Sequence, residues 1–157
     1  MRMAITIDLQ NDSALENIPS RQRFHEWVVA ALQKPYPELE QTIRIVNEAE
    51  SRELNCRFRD RDSATNVLAF SSDSDVLDYD CLGDLVICAP VVASEAADQR
   101  KPVDAHWAHL VVHGMLHLQG FDHQGEEDTA QMEALEIKIL DTLGYTNPYN
   151  DSGTSLQ

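Results

Sequence analysis

His113, His117 and His123 are spaced so that one helix and the turn after it can hold a single metal ion. Residues four apart on a helix stand one turn above each other on the same face, so His113 and His117 point the same way. Gly120 then ends the helix in the left-handed conformation that glycine adopts readily, and the reversal carries His123 back toward the same point. Three imidazoles with an open fourth position make the arrangement of a catalytic zinc, with Zn–N distances of about 2.0–2.1 Å. The same donors also accept nickel, copper and iron. Met115, Leu116 and Leu118 are apolar, so the helix is expected to be buried, where imidazoles lacking a shared partner would cost desolvation energy. His109 lies about 12 Å along the axis from His117, too far to share the ion, and is expected beside the site or on the surface, as is His106.

An ion held by three neutral imidazoles keeps its full positive charge, acidifies water and polarises a substrate oxygen, which points to hydrolysis. The candidate substrates are a peptide and a phosphodiester. Zinc proteases with the long motif H-E-x-x-H-x-x-G-x-x-H use the glutamate after the first histidine as general base. Here that position is Gly114, so peptidase chemistry lacks its proton acceptor. Phosphate has a candidate partner in Arg57, Arg59 and Arg61, which alternate and share one face if extended. The alternative is a solvated basic turn on a chain whose net charge is −15. That charge excludes nonspecific coating of nucleic acid, which rests on many Lys and Arg contacts to phosphate.

Residues 113 to 123 resemble the H-G-x-L-H-L-x-G-[YF]-D-H signature of the bacterial YbeY family, known as rRNA maturation factors and metal-dependent endoribonucleases. Leu54-Asn55 through Arg59, Thr65 through Leu68 with Phe70, Leu82 through Ile87, and Leu143-Gly144-Tyr145 extend the likeness over most of residues 40 to 145. Ala64, Ala69 and Ser71 stand where the family usually has proline, serine and proline. The resemblance implies a zinc-dependent, single-strand-specific endoribonuclease in 16S rRNA 3′ end maturation and ribosome quality control. It implies His113, His117 and His123 as ligands of one Zn²⁺, with His113 and Arg59 essential. The implied partners are rRNA, the small ribosomal subunit, one of its proteins and a ribosome-associated GTPase. A planar guanidinium suits Arg59 to a scissile phosphate, while Arg57 and Arg61 either hold the RNA backbone or are surface charges. Asp122 either orients a ligand imidazole or caps the turn. Asp84 matches a family position without an assigned role. The competing reading is a ribosome-assembly module with a structural zinc, in keeping with so acidic a chain.

The elements that must position these residues follow from periodicity. Alternation predicts strands at 5–9, 42–46, 66–70 and 85–88, and apolar spacing predicts helices at 19–33, 48–56, 90–99 and 104–118 and a last one from the acidic run at 126 to Gly144. Residues 71 to 80 carry a run of aspartates and read as an exposed loop. The expectation is a single α+β domain over 1–149, a small four-stranded sheet packed by about five helices, with a polar tail at 150–157. Cys56, Cys81 and Cys88 form no C-x-x-C pair and read as reduced core thiols. With no apolar run long enough for a membrane span and no signal-peptide pattern, the chain is expected in the cytoplasm.

Overall fold

A computed structural model describes residues 4–71, 82–121 and 125–149. Its elements run β1 (Ala4–Asn11), α1 (Arg21–Ala31), β2 (Glu38–Val46), α2 (Glu48–Arg59), β3 (Val67–Ser71), β4 (Gly83–Cys88), α3 (Ala89–Asp98), α4 (Val103–Leu118) and α5 (Glu126–Thr142). This is the expected α+β arrangement. The one sheet has the order β1-β2-β4-β3, with β1, β2 and β4 parallel and β3 antiparallel along the edge of β4. Of the residues singled out above, Asp122, His123, Cys81, most of the acidic loop and the tail lie outside the described residues.

Alternation along β4 builds two apolar layers. Leu85 and Ile87 face the main core with α1, α4 and α5, whereas Val86 and Cys88 face a smaller cluster with Val46, Leu68 and the partly buried Leu54 of α2. In the main core Phe24 meets Trp27 and Trp107 edge-on at centroid distances of 5.5 and 5.8 Å, a favoured aromatic geometry. Helix α4 is buried almost all round, which accounts for its continuous apolar run from Leu110 to Leu118 broken only by His113, Gly114 and His117. Cys88 is buried as expected, but Cys56 is exposed on α2, so it is not a core thiol.

Two of the boundaries that differ from expectation have local reasons. Ser20 accepts a hydrogen bond from the Arg23 N–H at 3.3 Å, so α1 starts at Arg21, after Pro19. Helix α2 continues to Arg59 and ends where Asp60 turns left-handed at φ 56°. Arg57 and Arg59 are therefore helical and do not form the extended, one-faced row that alternation suggested.

The packing of α4 onto the sheet sets where its histidines lie. A Cβ built on Gly114 would stand 2.6 Å from Leu85 Cδ2 and 3.5 Å from Val67 Cγ2. A side chain here would press on Leu85 and Val67 between the helix and the β3–β4 pair, which disfavours a glutamate at the position. Gly114→Ala is expected to destabilise the protein by about 1–3 kcal/mol, the usual range for overpacking a core, read as a lower urea midpoint; an unchanged midpoint would show that Leu85 yields without strain.

Candidate functional site

His113 and His117 place their ring centroids 4.8 Å apart at an interplanar angle of 77°. Two imidazoles bound through nitrogen at 2.0–2.1 Å to one tetrahedral ion would have centroids about 5 Å apart, so the pair fits the shared ion that the spacing implied. Among the described residues no group of three potential ligands is gathered, and His123 is not one of them. His113 and His117 line a cleft of about 550 Å³ whose walls include Arg59, Arg61, Asn55, Asn66 and Glu95. The structure thus brings the histidine helix and two of the three arginines, some fifty residues apart in sequence, to one surface.

The arginine wall is held by a short loop clamped to α2. Ser51, buried on α2, donates its hydroxyl to the Thr65 carbonyl and accepts the Thr65 N–H, both at 2.9 Å. Asn55 donates its side-chain amide to the Ser63 carbonyl at 2.9 Å. These bonds bracket Ala64, where the family pattern has proline, and fix the loop without it. Arg59 donates to the carbonyls of Phe58 (3.3 Å) and Ala69 (3.0 Å) and lies 5.3 Å over the Phe70 ring. Arg57 stands apart, paired with Glu53 at 3.2 Å on the exposed side of α2. Asp84 is exposed on β4 opposite Phe70.

Beneath the histidines lie carboxylates that spacing did not reveal. Glu136 of α5 is 1% exposed. Its Oε2 accepts from Nδ1 of His113 at 3.1 Å, and its Oε1 accepts from Nε2 of His109 and from the Tyr149 hydroxyl, each at 2.6 Å. Burial pushes the Glu136 carboxyl up, but the hydrogen bonds from His109 and His113 outweigh it and hold its pKa down at about 2. Burial lowers His109, which is neutral, and raises Tyr149, which stays protonated; both are donors here. His106 is likewise buried and not on the surface, bonded at 2.9 Å to Glu95, which also accepts from Asn66 at 3.0 Å and so ties α3 and α4 to the start of β3. The only sequence signal for Glu136 was its place among the apolar positions of α5, between Met132 and Ile139.

Comparison with known proteins gives the site its context. Residues 7–144 match the family model described as Endoribonuclease YbeY, from β1 to the turn after α5. The chain belongs to the YbeY family. It is 50% identical over 150 residues to the Endoribonuclease YbeY of Nitrosococcus oceani, covering 94% of this chain and 98% of that one. With the protein of the same name from Pseudomonas syringae pv. tomato it is 50% identical over 149 residues, covering 94% and 89%. The solution structure of TM1509 from Thermotoga maritima, 24% identical over 96% of each chain, superposes with a TM-score of 0.51 and so shares the fold.

His109 makes a checkable contribution to stability. Its pKa is lower folded than unfolded, so the unfolded chain binds the proton first, and the contribution is whole above about pH 6.5 and lost as pH falls from there. Urea midpoints measured with chelator present from pH 7.5 to 5 should therefore fall in the parent protein relative to His109→Gln; a constant gap between the two would refute a buried neutral His109.

Proposed function

We propose that this protein is a zinc-dependent endoribonuclease, specific for single strands, acting in 16S rRNA 3′ end maturation and ribosome quality control in the cytoplasm. The observation that carries the reading is the single cleft lined by His113, His117, Arg59 and Arg61. His113, His117 and His123 would hold the zinc, and the chemistry supplied is Lewis acidity toward a phosphate oxygen. Arg59 keeps three of its five N–H donors beyond the two bonded to backbone carbonyls, a planar fork for the phosphate on which charge develops. Arg61, on the same wall, adds a second charge toward the RNA backbone. Gly114, pressed against Leu85, offers no proton acceptor and speaks against peptide hydrolysis.

Substrate presentation follows from charge. With a net charge of −15, the surface outside the arginines repels phosphate, so naked RNA binds weakly and the ribosome presents the strand. The partners on this reading are the small ribosomal subunit, one of its proteins and a ribosome-associated GTPase. Among the described residues no helix is long and apolar enough to cross a membrane. The acidity also favours a second reading, an assembly module whose zinc is structural.

The two readings part in one experiment, in which zinc is measured in pure protein and cleavage of a single-stranded RNA is followed as the metal is removed and restored. His117→Ala should lose most of the zinc, while Arg59→Ala should keep it and cleave on the order of 10²–10³ more slowly, the usual cost of a lost charge-stabilising donor. Arg59→Lys should recover little, since a point charge supplies no fork. Cleavage by Arg59→Ala at the parental rate would remove the phosphate clamp, and cleavage unchanged by zinc removal would favour the structural role. Casein should remain intact throughout; its metal-dependent digestion, abolished in His117→Ala, would mark a protease.

A further inference from the structure

We propose that Glu136 is the positioning residue of the metal site, fixing His113 as the tautomer whose Nε2 carries the lone pair, with His109 and Tyr149 holding the carboxylate in place. The inference rests on the reading of His113 and His117 as metal ligands. A neutral imidazole donates from one nitrogen and accepts or ligates through the other, so the partner of one decides the role of its opposite. Nδ1 of His113 stands 3.1 Å from Oε2 of Glu136, whose Oε1 faces Nε2 of His109 and the Tyr149 hydroxyl, so the carboxylate is ringed by donors and serves as their common acceptor. That contact places the ring proton on Nδ1 and the lone pair on Nε2. It also raises the basicity of the ring, as carboxylate partners do for metal-bound histidines.

The carboxylate is itself fixed. A side chain at 1% exposure cannot rely on water, and its Oε1 takes two short donors, His109 Nε2–H and the Tyr149 hydroxyl, both at 2.6 Å. The Nδ1 of His109 is buried with no hydrogen-bond partner among the described residues, an unfavourable arrangement that becomes intelligible if the ring is aimed at Glu136. Glu136 thus receives donors from two turns of α4 and from the segment beyond α5, and its orientation is over-determined.

An amide cannot replace this carboxylate. The NH₂ of a Glu136→Gln variant would oppose Nδ1–H of His113 in one orientation; in the other it would require the Tyr149 hydroxyl to accept and His109 to shift its proton to the buried Nδ1, which has no hydrogen-bond partner among the described residues. The imidazole relieves the first conflict by moving its proton to Nε2, the nitrogen the metal needs. Glu136→Gln is therefore expected to weaken zinc binding 10–100-fold, the usual effect of losing such a partner, measured by competition with a chromophoric chelator on protein whose fold is verified by circular dichroism. Tyr149→Phe removes one of the two donors that hold Oε1 but keeps the carboxylate, so its zinc affinity should fall by less than that of Glu136→Gln. Independently of any variant, long-range ¹H–¹⁵N correlation on the parent protein at pH 7.5 should show the proton of His113 on Nδ1. A His113 proton on Nε2, equal zinc affinity in folded Glu136→Gln and the parent, or equal losses in Glu136→Gln and Tyr149→Phe would each overturn the inference while leaving the metal site standing. Failure of the parent protein to bind zinc would overturn the metal reading and this inference with it.

Discussion

The close approach of α4 to the β3–β4 pair is the constraint on which the site depends. At Gly114 the helix backbone meets the Leu85 side chain so closely that a methyl group would require Leu85 to shift. Such proximity sets His113 and His117, one residue before and three after the contact, on the wall of a cleft whose other wall begins at β3. Core packing and cleft geometry are one constraint because interiors are close-packed and pass displacements on.

On either side of that contact, buried and half-buried polar groups lock neighbouring elements. Glu136 joins α5 to α4 below the histidines, Glu95 joins α3, α4 and the head of β3, and Ser51 with Asn55 joins α2 to the loop before β3. Each of these side chains lies on a helix and reaches across to another segment. A polar group removed from water needs such a partner, and the partner must be held in place to serve it. The cleft is thus lined by side chains whose orientations are already settled by their neighbours.

What was legible in the sequence follows from how local each signal is. The periodic elements and the i, i+4 pair His113 and His117 are properties of a few consecutive residues, and both appear where spacing put them. The place of Arg59 in the cleft needed the family pattern, since its own neighbourhood read equally as a basic turn. Alternation suggested that Arg57 shared a face with it, but α2 runs on to Arg59 before the left-handed Asp60 ends it, and Arg57 is paired with Glu53. Glu136 was hidden because it sits 23 residues from His113, on a different helix. The mixed strand order was hidden for the same reason, as it depends on which crossover lies on which face.

Arg59 also bears on the edge of the sheet. Strand β3 is the outer strand of the sheet, and the bond from the Cys88 N–H to the Asn66 carbonyl sets its even-numbered residues toward β4 and its odd-numbered ones outward. An outward row of unpaired amides and carbonyls is a template on which a second strand can grow. Here the Asn66 side chain takes the Val67 N–H at 2.6 Å and the Arg59 guanidinium takes the Ala69 carbonyl. The side chain proposed to grip a phosphate therefore also covers one outward carbonyl of this edge strand, which leaves that group unavailable to a pairing strand.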